Sequence, residues 1–121
     1  MARHSPEHDE CVAIIRMIRL HTSTYPPLAW FFHIDSGRAT RAQGARKKAE
    51  GVIPGIPDYC LPYASSGFHG LYLEMKAPGK KPTKQQKKAM AYLQGAGYAV
   101  AWFDDWREAW TYIIDYLDGR L

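Results

Sequence analysis

The sequence is poor in cysteine and has no long apolar run. Cys11 and Cys60 are the only two cysteines in 121 residues, which is too few for a disulfide framework or for a zinc site with the usual four ligands. Both are therefore expected to be free thiols in a reducing compartment. Residues 1–10 lack the apolar core of a signal peptide, and no later segment is long enough to span a bilayer. These absences predict a cytoplasmic protein with no membrane partner.

Internal repeats and low-complexity tracts are also absent from the chain. Hydrophobic residues make up 46% of the sequence and charged residues 23%, which is close to average globular usage, so the chain is expected to fold. Its length suits one compact domain over residues 1–121 and is short for two domains.

Acidic residues are fewer than basic residues, with 12 Asp and Glu against 16 Lys and Arg. The net charge is +4 and the sequence pI is about 9.1, and the basic residues cluster in two segments, 38–48 and 76–88. Segments of this kind attract a polyanion such as nucleic acid. Solvated surface lysines and arginines explain such runs equally well. Charge alone therefore does not identify the partner.

The first half of the chain contains one clear helical pattern. Apolar residues at positions i, i+3, i+4 and i+7 predict an amphipathic helix from Glu10 to about His21. The aromatic-rich segment Leu28–Ile34, which includes Trp30, is predicted to be a buried strand. The segment Asp35–Gly51 has no periodicity and is predicted to be a loop, with at most one helical turn at residues 46–49.

The second half predicts a hairpin followed by a crossover unit and a closing helix. Thr83 and Gln86 have the spacing of a helix capping box. A strand that follows this helix should lie parallel to the strand before it. The expected elements are strands over Ile56–Tyr63 and Gly70–Lys76, a helix over Lys84–Gln94, a strand over Tyr98–Phe103, and a helix capped by Asp104 or Asp105 that ends at Leu117.

The hairpin carries the residues with the clearest chemical meaning. Side chains alternate across a strand, so Glu74 and Lys76 should share one face, and Asp58 can join them from the neighbouring strand. Two carboxylates supply the hard oxygen ligands that Mg²⁺ or Mn²⁺ prefers. The ammonium of Lys76 could orient or deprotonate a water, or neutralise charge on a phosphate. The trio suits metal-dependent cleavage of a phosphodiester.

The order of these motifs resembles the PD-(D/E)XK nuclease superfamily and, within it, the VRR-NUC group. The matching residues are Gly55 to Asp58, Glu74 to Lys76, Gln86 and Gly97. The resemblance runs from about Glu10 to Leu117 and implies a restriction-endonuclease-like α/β core, with a mixed sheet flanked by helices. It also implies a DNA endonuclease of the stand-alone bacterial or phage type, acting as a homodimer on branched or structured DNA such as four-way junctions.

The resemblance adds three residues to the site. The family places a third acidic ligand on the first helix, and Glu10 is the expected residue, with Glu7 and Asp9 as alternatives. The backbone carbonyl of Met75 is expected to join Asp58 and Glu74 as a metal ligand. Gln86 matches a glutamine that the family uses at the active site, although a role in the cap with Thr83 is equally open.

The basic segments supply the expected DNA contacts. The candidates for phosphate binding are Arg38, Arg41, Arg46, Lys47, Lys48 and Lys80. A protein of another class, which binds nucleic acid without cutting it, would have the same basic surface and fold. Such a protein would have no chemical need for Asp58, Glu74 and Lys76, so the catalytic interpretation is preferred.

Overall fold

A computed structural model describes residues 5–35 and 40–121. Four strands form a mixed sheet in the order β1-β2-β3-β4, in which the first two pairings are antiparallel and β3 and β4 are parallel. The strands are β1 (Phe32–His33), β2 (Tyr59–Leu61), β3 (Leu71–Met75) and β4 (Ala99–Phe103). The two inner strands, β2 and β3, each pair with a neighbour on both sides, and β3 carries the one parallel pairing of this sheet.

Four α-helices and one short 3₁₀ helix accompany the sheet in the described ranges. The α-helices are α1 (Pro6–Leu20), α2 (Arg41–Ala49), α3 (Lys84–Gly95) and α4 (Trp106–Leu117), and the 3₁₀ helix is Pro26–Trp30. No helix within these ranges has the length and apolar character that crossing a membrane requires. Both cysteines are free, as the sequence predicts.

The main core lies between one face of the sheet and the pair α1 and α4. Leu71, Leu73 and Met75 of β3 are fully buried there, because alternate residues of a strand point to the same face. The helices contribute Ile14, Ile18, Ala109, Ile113 and Tyr116 to this cluster. Met90 and Leu93 of α3 are buried outside it. Glu74 therefore points away from the main core.

The structure confirms the predicted α/β class and the mixed sheet with flanking helices. β3, α3 and β4 form the predicted parallel crossover. Thr83 and Gln86 form the predicted capping box, with both reciprocal hydrogen bonds present. Of the two candidate caps for the closing helix, Asp105 takes the role by accepting a hydrogen bond from the backbone of Arg107 at 2.9 Å.

The prediction of a buried strand over Leu28–Ile34 is wrong in length and burial. Pro26 and Pro27 begin the 3₁₀ helix instead, and only Phe32 and His33 pair with β2. Proline fixes φ near the helical value and lacks the N–H that a strand would use, which favours a helical start here. Trp30 is consequently 73% exposed and does not belong to the core.

The prediction of a loop over Asp35–Gly51 is also wrong, since residues 41–49 form α2. Thr40 and Gln43 make a second capping box, and Arg46 forms an ion pair with Glu50 at 3.2 Å. All nine residues of α2 are described and none is buried. A helix without a buried face has no apolar period, which is why the hydrophobic pattern did not reveal it.

Candidate active site

Asp58 stands at the start of β2 because the segment before it is tightly docked. Gly55 has φ +88°, and a Cβ at this position would lie 2.9 Å from the backbone oxygen of Gln85 at the start of α3. Only glycine combines this backbone conformation with so close an approach. Pro57 is fully buried and stiffens the next step of the chain. The Gly-x-Pro-Asp motif thus joins Asp58 to α3 as well as to the sheet.

Asp58 also extends the pairing between β2 and β3. The last registered pair of these strands is Tyr59 with Leu73, and beyond it the backbone N–H of Met75 donates to Oδ2 of Asp58 at 3.0 Å. The N–H and C=O of a strand residue point to the same edge, so the carbonyl of Met75 also faces the Asp58 side. The expectation that this carbonyl is a metal ligand agrees with its direction and stays a prediction.

Glu74 and Lys76 share the face that alternation predicts. Nζ of Lys76 lies 3.9 Å from Oε2 of Glu74, and the Lys76 side chain is 12% exposed. Glu74 is the one buried charged residue in the described ranges and is 2% exposed. The Glu74 side chain is therefore almost completely shielded from solvent.

The environment of Glu74 opposes its negative charge. Burial, followed by the charge of Asp58 and a hydrogen bond with it, raises the pKa of Glu74 from 4.5 to about 9, and Lys76 opposes that shift. At neutral pH Glu74 therefore holds a proton when no cation is present. A positive ion bound between the carboxyl groups would reverse this preference, because it stabilises the ionised form.

The third carboxylate comes from α1, and it belongs to Glu7. One ligand oxygen from each of Glu7, Asp58 and Glu74 lies within 4.8 Å of the others. Helix α1 begins one turn earlier than predicted, with Ser5 as N-cap and Pro6 in its first turn. Glu10, the residue preferred from sequence, lies three positions further along α1 and is not in this cluster. Asp9 is not in it either.

The signal that identifies Glu7 was present in the sequence. Ser-Pro is a typical start of a helix, since serine caps the first N–H groups and proline fits the first position. The oxygen of Ser5 accepts from the backbone of His8 at 3.3 Å. The hydrophobic period begins only at Cys11, because the first turn of α1 extends past the core. Cap chemistry locates this helix end better than periodicity does.

A cleft of about 840 Å³ surrounds the cluster. Its wall includes Gln86, whose Oε1 accepts the Thr83 backbone N–H at 2.8 Å. Lys80 and Lys81 also line it, and the phosphate contact expected of Lys80 stays a prediction. The wall also includes residues that the sequence did not assign to the site, among them His8, Cys11, His33, Asp35 and Gln85.

The predicted contacts on α2 stand apart from this cleft. Arg41, Arg46, Lys47 and Lys48 do not line it. Lys47 approaches it indirectly through an ion pair with Asp35 at 3.2 Å, and Asp35 is a wall residue. Arg38 lies outside the described residues.

The donor set fits a hard divalent cation. Three carboxyl groups at this spacing offer oxygen ligands of the kind that Mg²⁺ and Mn²⁺ prefer, and the site has no thiolate or imidazole within that group. Burial is the largest cause of the raised pKa of Glu74, the charge of Asp58 adds to it, and Lys76 opposes it only in part. A divalent ion between the carboxyl groups would favour the ionised form of Glu74.

Comparison with known proteins gives one informative result. No protein-family model and no curated protein matches the sequence. A solved structure described as "VRR_NUC domain protein" has the same fold, with a TM-score of 0.81 and 21% sequence identity over 97% of this chain and 92% of that chain. The similarity confirms the predicted VRR-NUC resemblance at the level of the fold.

Proposed function

We propose that the protein is a metal-dependent nuclease that hydrolyses phosphodiester bonds of DNA. One observation carries this proposal: the cluster of Glu7, Asp58 and Glu74 lies in an open cleft with the Lys76 ammonium 3.9 Å from Glu74. The fold shared with a VRR_NUC domain protein supports the same reaction class. The reaction needs a cation, a positioned water and compensation of phosphate charge, and this group of side chains suits all three.

The three carboxylates and the Met75 carbonyl would hold Mg²⁺ or Mn²⁺. A bound ion supplies a water of lowered pKa and a positive charge for the phosphate. Asp58 is fixed for this purpose by the Met75 N–H. Glu74 is fixed by burial on the central strand, so little reorganisation accompanies loading.

Lys76 adds a second positive charge beside the reacting group. Its largely buried stem limits the ammonium to a narrow region near Glu74. From there it can stabilise negative charge on the phosphate or take part in proton transfer with the attacking water. The amide of Gln86, fixed by the cap at the edge of the cleft, would help to orient the substrate.

We further propose that the preferred substrate is branched DNA and that the active form is a homodimer. Two sites related by a two-fold axis can make paired cuts in a four-way junction of matching symmetry. The motif resemblance supports this substrate class. Positive charge at the cleft edge, from Lys80 and Lys81, would hold the backbone near the carboxylates.

A cleavage assay tests the proposal. The purified protein is incubated with single-stranded, duplex, flap and four-way-junction DNA of equal length, in Mg²⁺, in Mn²⁺ and in chelator. Cleavage should require the metal and should be fastest on the junction, while chelator should leave binding without cleavage. A gel shift without cleavage in either metal would identify a binding protein and contradict the nuclease proposal.

A further inference from the structure

A second groove runs along α1 beside the edge strand β1. Its volume is about 670 Å³. It is bounded by the exposed stripe of α1 and by His33 and Tyr59 from the sheet. Three of its residues, His8, Cys11 and His33, also line the metal cleft. The two spaces therefore adjoin along these residues, and the groove extends from there along α1, away from the carboxylates.

The charge of this groove differs from that of the cleft. Arg16 and Arg19 line it, and no described carboxylate does. Three positions separate these arginines, so both guanidinium groups project from one side of α1. Neither forms an ion pair with any residue in the described ranges. A ligand could therefore bind both guanidinium groups without breaking an ion pair within these ranges.

Apolar side chains line the groove on both sides of the two cations. Val12 and Leu20 are exposed groove residues, and Leu20 is 72% exposed. Two cations flanked by apolar side chains suit a sugar-phosphate backbone, whose phosphates are charged and whose sugars present carbon. An acidic protein segment would satisfy the cations, but it would not account for the position of the groove beside the cleft.

Helix geometry sets the reach of the groove. Arg16 is nine residues and Arg19 twelve residues beyond Glu7 on the same helix, or about 14 and 18 Å along its axis at 1.5 Å per residue. One strand of duplex DNA advances about 3.4 Å per nucleotide. The two guanidinium groups thus stand roughly four and five nucleotides from the carboxylate cluster.

We propose that Arg16 and Arg19 bind the DNA backbone on one side of the scissile phosphate, about four to five nucleotides away from it. This inference rests on the proposed nuclease function and extends it to a strand-specific contact. It also determines on which side of the scissile phosphate this contact lies, because the groove adjoins the cleft along α1. The opposite arm of the substrate would pass Lys80 and Lys81.

The test combines one double variant with substrates of graded length. After the wild-type cut is mapped, the DNA arm on each side of it is shortened stepwise. Binding is measured by fluorescence anisotropy in chelator, and kcat and KM are measured in Mg²⁺. The variant is Arg16→Gln with Arg19→Gln. The control is Arg107→Gln with Arg120→Gln, which removes two arginines at positions that line neither space. Both control arginines form ion pairs, with Asp105 and with Asp115 and Asp118, so the unfolding free energy of each variant is measured as well.

The groove variant should bind long-armed DNA at least about tenfold more weakly, as expected for the loss of charge-assisted hydrogen bonds. Its salt slope should fall by about two, and KM should rise while kcat is retained. On DNA shortened to fewer than roughly four nucleotides on one side, it should bind as wild type does. The control should follow wild type at every length.

Three results would overturn the inference. Equal affinity of the groove variant and wild type for every substrate, in a protein that cleaves DNA, would remove the groove contact and leave the nuclease proposal intact; the groove would then suit an acidic protein segment. An equal loss on short and long arms would indicate a general charge effect. Wild-type protein that neither binds nor cleaves DNA would overturn both proposals.

Discussion

Asp58 and Met75 are joined by a hydrogen bond from a backbone N–H to a carboxylate oxygen, 3.0 Å long. The bond lies beyond the last registered pair of β2 and β3, so the side chain of Asp58 replaces the next rung of the ladder. Asp58 therefore has a structural task as well as its proposed chemical one. The two tasks can be separated by substitution.

Asp58→Asn should retain the fold and lose cleavage. The amide oxygen can still accept the Met75 N–H, whereas the charge that binds the cation is gone. We expect a rate reduction of at least about a hundredfold. Asp58→Ala should lose the activity and also about 1 to 3 kcal/mol of unfolding free energy, because a backbone donor is left without its partner. Single-turnover rates and urea denaturation measure the two effects, and equal stability of both variants would deny the structural task.

Glu7 and Glu10 form a matched pair on one helix. Glu7→Gln should weaken Mn²⁺ binding and cleavage, because Glu7 belongs to the carboxylate cluster and Glu10 does not. Glu10→Gln makes the same change in charge and should leave both properties near wild type. Calorimetric titration with Mn²⁺ and initial rates would give the comparison. A larger effect at Glu10 would return the third-ligand role to the residue that the sequence argument preferred.

The pH dependence of stability should show the proton on Glu74. Its folded-state pKa is about 9 and its ordinary value is 4.5, so its stabilising contribution is complete below pH 4.5 and declines as pH rises toward 9. In chelator, the unfolding free energy of wild type should therefore fall across this window relative to Glu74→Gln. Denaturation at a series of pH values measures it, and parallel curves for the two proteins would contradict the raised pKa. Added Mg²⁺ should stabilise wild type most at the alkaline end.

Lys76 should matter to the rate more than to binding. Lys76→Ala is expected to lose at least about a hundredfold in single-turnover cleavage while it still binds the metal. Lys76→Arg should recover little, since arginine keeps its proton and spreads its charge over a planar group. Lys80→Ala is the control, a cleft cation that should raise KM and leave kcat unchanged. Wild-type cleavage by Lys76→Ala would remove Lys76 from the mechanism.

Gly55 offers a test of how the Gly-x-Pro-Asp segment is held. Gly51 and Gly55 both have positive φ, but a Cβ at Gly51 meets nothing within 4 Å whereas one at Gly55 lies 2.9 Å from the Gln85 backbone. Gly51→Ala should cost about 1 kcal/mol of backbone strain. Gly55→Ala should cost more and should also reduce cleavage, since Asp58 is displaced. Similar losses in the two variants would show that the contact with α3 is unimportant.

The sequence predicted correctly that three hairpin side chains lie together. Asp58, Glu74 and Lys76 lie together because the side chains alternate along each strand and the two strands are neighbours. The capping box of Thr83 and Gln86 was predicted correctly for a similar reason, since it spans only four residues. In each case, the deciding interactions lie within one element or one pair of strands.

Two errors share a different physical origin. Helix α2 has no buried face in the structure, and the first turn of α1 extends past the core, so hydrophobic periodicity reveals neither α2 nor the start of α1. The burial of Glu74 could not be predicted either, because it depends on how separate elements close around β3. Patterns of apolar residues reveal the parts of an element that contact the core, whereas α2 and the first turn of α1 lie outside the core.

Gln86 completes the cap at the start of α3 with an amide, where an acid would also be possible. A glutamate at position 86 could accept the same Thr83 N–H, so the helix start alone does not require glutamine. It would, however, place a further acid on the wall of a cleft that already holds Glu7, Asp58 and Glu74. Glutamine completes the helix end without adding to the repulsion that an incoming phosphate meets. Under the proposed function, a neutral residue at position 86 would thus favour the approach of the substrate as well as complete the helix cap.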